Sequence, residues 1–180
     1  MGPRCLLLLA PGFEEIEATC PIDLLRRAEV EVLIASVTTG LLVRGRSGIS
    51  LKADCLLSEI PEKSFDLLVL PGGPAVYDLR KQPKIIALIS RFHNASVPIG
   101  AICAAPLLLL DAGILPGPAF TAHGSTVDEP PDLQSGQETL VSGSLVTSRG
   151  AGTAVSFGLA LVEILKGVEI ARQIRESIHA

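Results

Sequence analysis

Short uninterrupted apolar runs alternate along this chain with longer stretches whose apolar residues recur every three or four positions. Residues 4–10, Arg4 followed by Cys5-Leu6-Leu7-Leu8-Leu9-Ala10, form a continuous run closed by Pro11-Gly12 and read as a buried strand. Over 14–28 the spacing turns helical, with Ile16, Cys20, Leu24 and Leu25 on one stripe. Pro21 falls inside that helix and should kink it or leave a backbone group unpaired. Residues 30–37 predict a second strand and 41–53 a hairpin-like stretch. A third buried strand, 65–70, runs into Pro71-Gly72-Gly73, and 84–93 is helical through Ile85, Ile86, Leu88, Ile89 and Phe92. A fourth strand, 97–102, meets Cys103 directly, and 104–110 predicts a helix that starts abruptly after it. Residues 119–122 predict a short strand before His123, and 124–137, rich in Pro, Gly, Ser and Asp, a loop. Two short strands flank Ser142-Gly143 within 139–148, an apolar helix covers 152–165, Gly167 stops it, and a last helix spans 168–178.

Strands alternating with helices predict an α/β domain with a largely parallel sheet covered on both faces. No internal repeat or long linker divides the 180 residues, so a single domain over 1–180 is expected. Apolar residues at 48% against 19% charged exclude disorder as the main state. A net charge of -4 with 3% aromatics argues against a nucleic-acid partner. No run approaches the ~18 apolar residues of a membrane helix. The amino-terminal apolar run is too short for a signal peptide and meets Gly12, Glu14 and Glu15 at once, so the cytoplasm is the expected location. Cysteines at 5, 20, 55 and 103 form no Cys-x-x-Cys pair, so no metal site is signalled and free thiols are expected.

In parallel sheets, sites form outside the carboxyl ends of the strands. Gly100-Ala101-Ile102-Cys103-Ala104-Ala105-Pro106 joins a strand to a helix there. A nucleophile on so sharp a turn needs small residues two positions to either side, here Ala101 and Ala105. A thiol at a helix amino terminus would be favoured as thiolate. The same segment also fits a buried structural cysteine before an Ala-rich helix. Glu14, Glu15 and Glu17 follow strand one, where acidic residues complement a helix start, yet one of them could reach Cys103 as proton acceptor or hydrogen-bond partner. Gly72-Gly73 is either a plain turn or half of an oxyanion hole, with the Ala104 N–H as second donor. Of three histidines, His123 is placed to approach this edge, whereas His93 and His179 belong to outer helix ends. Thr147-Ser148-Arg149-Gly150-Ala151-Gly152-Thr153 is a Gly-rich link without a phosphate-loop pattern and reads as a structural turn.

Five segments in order carry a family likeness: Ala10-Pro11-Gly12-Phe13-Glu14-Glu15-Ile16-Glu17, Pro21-Ile22-Asp23-Leu24-Leu25-Arg26-Arg27-Ala28, Leu70-Pro71-Gly72-Gly73, Ala101-Ile102-Cys103-Ala104-Ala105-Pro106, and Thr147 to Thr153. On these the chain resembles the DJ-1/PfpI (ThiJ-like) superfamily along nearly its whole length, most of all its DJ-1 and YajL-like branch. The resemblance implies a flavodoxin-like three-layer α/β/α sandwich and a homodimer. It implies a reactive Cys103, a protonated Glu17 hydrogen-bonded to it, His123 as the site histidine, and Gly73 and Ala104 N–H groups as oxyanion donors, with Gly72 beside the substrate. It departs from the family at Ala151, often Pro, and after His123, where Gly124-Ser125-Thr126 lacks a frequent Pro.

The expected activity is glyoxalase III or deglycase-like: cysteine-dependent conversion of methylglyoxal or glyoxal to a 2-hydroxy acid, without metal or organic cofactor. The alternative is a redox-sensing protective or chaperone protein acting through Cys103 sulfinate. Peptide or amide hydrolysis ranks below both, since nothing in the chain marks a peptide groove.

Overall fold

The structure, a computed structural model, describes residues 2–60, 65–126, 128, 129, 133, 134 and 136–180. Among the described residues nine strands form: β1 (Arg4–Leu9), β2 (Glu31–Ser36), β3 (Leu42–Arg44), β4 (Ser50–Lys52), β5 (Cys55–Leu56), β6 (Leu67–Leu70), β7 (Ile99–Ile102), β8 (Thr139–Ser142) and β9 (Leu145–Ser148). The helices are α1 (Glu15–Arg27), α2 (Ala75–Leu79), α3 (Pro83–Asn94), α4 (Pro106–Asp111), α5 (Ala154–Lys166) and α6 (Val168–Ser177).

The main sheet has seven strands in the order β5-β2-β1-β6-β7-β9-β8. Every pairing in it is parallel except β8 against β9. The central order β2-β1-β6-β7-β9 is the doubly wound flavodoxin-like arrangement, whose switch point lies between β1 and β6. β3 and β4 make a separate antiparallel hairpin.

Strand periodicity divides the core. On β1, Cys5, Leu7 and Leu9 face α1, α5 and α6, while Leu6 and Leu8 face α2, α3 and α4. Both sets are buried, so β1 reads as an unbroken apolar run rather than an alternation. α5 closes onto β7 because Gly100 carries no side chain: a Cβ there would stand 2.6 Å from Leu161 and 3.0 Å from Phe157. Similarly, Gly158 on α5 admits Leu24 and Pro21 of α1. α1 continues through Pro21 rather than ending at it, so the Glu17 carbonyl loses only the donor that Pro lacks.

Three expectations need correction. Residues 119–122 are not a strand: Thr121 donates its N–H to the Thr147 hydroxyl and its own hydroxyl to the Gln137 carbonyl, so side chains replace a ladder. The helix expected at 104 begins at Pro106, because Ala104 and Ala105 belong to the turn that carries Cys103. β5 and α2 were not foreseen, being two and five residues long and too short for any periodicity. The loop over 124–137 opens with a 3-10 turn at Gly124–Thr126, and its positions 127, 130–132 and 135 lie outside the described residues. Among the described residues no helix is long and apolar enough to cross a membrane.

Phe157 is fully buried at the meeting of α5, β7 and α1. Phe157→Ala should lower unfolding stability by about 3–5 kcal/mol. In urea titration the midpoint should fall with little change in slope.

Candidate active site

Cys103 directly follows β7 with φ +65°, a conformation unusual for a side chain larger than glycine. Its N–H donates to the Ser148 carbonyl at 2.8 Å, and its own carbonyl accepts from the His123 N–H at 2.8 Å. Two backbone bonds from separate segments thus hold a turn that costs about 1–3 kcal/mol of strain. Ser148 is fixed in turn: its hydroxyl lies 2.6 Å from that of Thr153 and 2.8 Å from that of Thr139.

Glu17 is brought to the thiol from the first turn of α1. Glu14 caps that helix, its Oε2 accepting the Glu17 N–H at 2.9 Å, and donates its own N–H to the Gly72 carbonyl at 3.1 Å. This docks the start of α1 against the loop after β6. Gly72 N–H then donates to Glu17 Oε2 at 2.9 Å. The three glutamates divide their work: Glu14 caps, Glu15 Oε1 accepts the Ser47 N–H at 2.7 Å, and Glu17, 1% exposed, faces Cys103.

Gly73 takes φ +91° and, with Ala104, turns its backbone N–H toward the Cys103 sulfur. Both of these N–H groups therefore reach the thiol from different loops. Gly72 plays another part, since its N–H is already engaged by Glu17.

His123 stands at the exposed rim. A Cβ built on Gly150 would lie 3.4 Å from His123 Cδ2 and 3.7 Å from Glu17 Oε1, so the Gly-rich link forms a wall between them. That link is more than the structural turn its sequence suggested. Arg46, on the β3–β4 turn, lowers the Glu17 pKa through its charge. Arg46 did not announce itself in sequence, because it reaches the site from a distant turn with no motif around it, and Ser148 stood only as part of the Gly-rich link. His93 lies at the end of α3 and His179 beyond α6, away from this edge.

Burial pushes Glu17 up to about 7, with the Glu14 charge adding to it, against the opposing pull of the Cys103 hydrogen bond, the Gly72 N–H and Arg46. Burial likewise pushes the Cys103 thiol up to about 12, helped by the Glu17 charge and hydrogen bond and opposed by the Gly73 and Ala104 N–H groups. The helix-terminus effect expected to favour the thiolate is therefore outweighed: α4 is only six residues long, and a buried carboxylate faces the sulfur. The remaining thiols are raised too, Cys5 by complete burial, Cys20 by burial and Asp23, Cys55 by burial, Asp54 and Glu59. Cys5 is a core residue, whereas Cys20 and Cys55 are only half-buried.

Known proteins match this arrangement. The DJ-1/PfpI family model covers residues 3–164, and the chain belongs to that family. It is 39% identical to Protein DJ-1 homolog A of Arabidopsis thaliana over 96% of its own length, spanning 45% of that relative. The chain therefore spans under half the length of this curated relative. It is 34% identical to the glutathione-independent glyoxalase DJR-1.2 of Caenorhabditis elegans, covering 91% of this chain and 89% of the relative. It is 31% identical to the deglycase PYRAB04690 of Pyrococcus abyssi, covering 91% and 99%. The solved structure of oxidized Toxoplasma gondii DJ-1 superposes with a TM-score of 0.93 at 34% identity, covering 98% of each chain.

A raised carboxyl pKa makes its own prediction. Unfolded, Glu17 ionises near its ordinary 4.5; folded, near 7. Between those values the folded state holds the extra proton, so this group's contribution to stability falls as pH rises and is fully lost above 7. Glu17→Gln should therefore gain stability relative to wild type as pH rises from 4.5 to 7, read from denaturant midpoints. The same variant removes the carboxylate charge facing Cys103, so its thiol should ionise at lower pH and be alkylated several-fold faster at neutral pH.

Proposed function

We propose that the chain is a cysteine-dependent, cofactor-free enzyme converting small reactive dicarbonyls such as methylglyoxal and glyoxal to 2-hydroxy acids. The observation that carries this reading is the convergence on Cys103 Sγ of two backbone N–H donors and one raised carboxyl. Two relatives, named as a glutathione-independent glyoxalase and a deglycase, support it.

Two of the effects that raise Cys103 come from Glu17, and Glu17 keeps its proton up to about neutral pH. In this reading the thiol is the resting form, because burial is what raises it most, and the attacking thiolate is the minor form reached with Glu17 protonated and three donors around the sulfur. The thiolate adds to the aldehyde carbon, forming an S–C bond while the carbonyl π pair moves to oxygen. The Gly73 and Ala104 N–H groups hold that oxygen, and protonation gives a hemithioacetal. A proton leaves the former aldehyde carbon and one is delivered to the adjacent carbonyl carbon, while the hemithioacetal hydroxyl gives up its proton and the second oxygen takes one. Glu17 and His123 assist these transfers. The first carbon is thereby oxidised to a thioester and the second reduced to an alcohol, so no outside oxidant is needed. Water then hydrolyses the thioester, returning the thiol and releasing the hydroxy acid.

A second reading, sulfinate-based redox sensing, is favoured by the same Glu17 hydrogen bond, which would hold an oxidised Cys103, and by the oxidized state named for the Toxoplasma structure. In either reading the protein works in a reducing cytoplasm with its four cysteines free, as one domain and as a homodimer. Ile16, Leu42 and Ile49, 53%, 71% and 59% exposed on α1 and the hairpin, suit a self-association surface.

Purified protein should form lactate from methylglyoxal without glutathione, and Cys103→Ala should reduce this to the buffer rate. Methylglyoxal loss without lactate, equal in both proteins, would overturn the enzymatic reading. Gly72→Ala should also abolish lactate formation, since its Cβ would stand 2.5 Å from the Cys103 Cβ.

A further inference from the structure

The ring of His123 is held by its own loop in a way that fixes what it can do. Its Nδ1 accepts the Ser125 N–H at 3.1 Å and lies 2.8 Å from the Ser125 hydroxyl. A backbone N–H only donates, so the Nδ1 it meets must carry the lone pair. Neutral His123 is then the Nε2–H tautomer. The loop itself is set by further bonds to the His123 carbonyl, from the Thr126 N–H at 2.9 Å and the Thr126 hydroxyl at 2.8 Å. Glu129 donates its N–H to the Thr126 carbonyl at 3.0 Å, and its carboxylate meets Arg80, which also grips Asp111 in bidentate fashion. On the opposite edge of the ring Cδ2 adjoins Nε2, and a Cβ built on Gly150 would lie between that Cδ2, at 3.4 Å, and Glu17 Oε1, at 3.7 Å.

We propose that Ser125 is a positioning residue that locks His123 as an Nε2–H hydrogen-bond donor toward the substrate. His123 then polarises a substrate carbonyl oxygen without taking up a proton, and Glu17 alone moves the proton between the two carbons. This rests on the dicarbonyl reading above. It narrows that reading from two shuttling groups to one shuttle and one fixed donor. A neutral imidazole whose Nδ1 is occupied has no free lone pair to offer as a base, and its remaining polar edge is a donor of the kind that stabilises an oxyanion. The ligand chemistry it selects is a small molecule with two adjacent carbonyl oxygens. One would sit between the Gly73 and Ala104 N–H groups and the other at the His123 edge.

Long-range proton–nitrogen spectra of His123 test the tautomer directly, with no need for turnover. Wild type should show a protonated Nε2 and an unprotonated, hydrogen-bonded Nδ1. Ser125→Pro, which removes the N–H donor and the hydroxyl together, should admit a measurable Nδ1–H fraction, whereas Ser125→Ala, which keeps the N–H, should not. An Nδ1–H signal in wild type, or a Ser125→Pro spectrum identical to it, overturns the proposal. Kinetics supply the second arm. His123→Gln keeps an amide donor at the place of Nε2–H, and its kcat for methylglyoxal should stay within about tenfold of wild type. His123→Ala should lose about a hundredfold in kcat with a smaller change in KM. Equal losses in the Gln and Ala variants would mean that His123 accepts a proton, and would overturn the donor assignment. Absence of lactate from wild type would overturn the dicarbonyl reading instead, and the spectra alone would then decide the tautomer.

Discussion

Three pieces of chain meet at Gly72 more closely than any side chain would permit. A Cβ there would stand 2.5 Å from the Cys103 Cβ, 2.5 Å from Glu17 Oε2 and 2.7 Å from the Ile102 carbonyl. The bare Cα lets the loop after β6 sit against the turn after β7, while its N–H and carbonyl fasten the start of α1 through Glu17 and Glu14. Gly73 extends the same contact, since a Cβ on it would fall 2.6 Å from the Gly12 carbonyl. The geometry around the thiol follows from this approach: the loops after β1, β6 and β7 are within reach of one another only because glycine stands where they touch.

That closeness has an energetic consequence. A carboxyl and a thiol are pressed together in a place whose burial raises the cost of ionising both; Glu17 raises it further for the thiol, while the thiol's hydrogen bond eases it for the carboxyl. Neither group suits a stable interior by itself. Around them lie the compensations: the Glu14 cap, the Gly72 N–H, two N–H groups on the sulfur, and Arg46 at the rim. The strained Cys103 turn is supported in the same way, by Ser148 on one side and His123 on the other. Strain and poor solvation at the thiol and carboxyl are thus offset by well-made bonds nearby. The apolar layers on both faces of the sheet supply the rigidity.

The division of labour among the three acidic residues shows how far local sequence carries. Glu14, Glu15 and Glu17 look alike as a cluster at a helix start, and a dipole argument serves for all of them. Helical spacing then sets Glu15 apart from Glu17, two positions on, while Glu14, three before Glu17, is held as the helix cap by the Glu17 N–H. Which side holds the thiol depends on how α1 lies against the sheet. That is set by α5, by Pro21 against Gly158, and by the Gly72 bond, all distant in sequence.

From the sequence by itself came the α/β class, nearly every strand and helix, and the place of the sharp turn at Cys103. Hydrophobic periodicity and glycine positions are local properties that survive without knowledge of the fold. The likeness of five ordered segments added the strand arrangement and the partners of the thiol. The tertiary structure decided what depends on long-range contact. It replaced a strand at 119–122 with side-chain bonds from Thr121. It delayed α4 to Pro106, and it made a wall of Gly150 and a rim charge of Arg46. It also reversed the expected electrostatics of Cys103, because burial and a facing carboxyl are properties of packing rather than of the neighbouring residues in the chain.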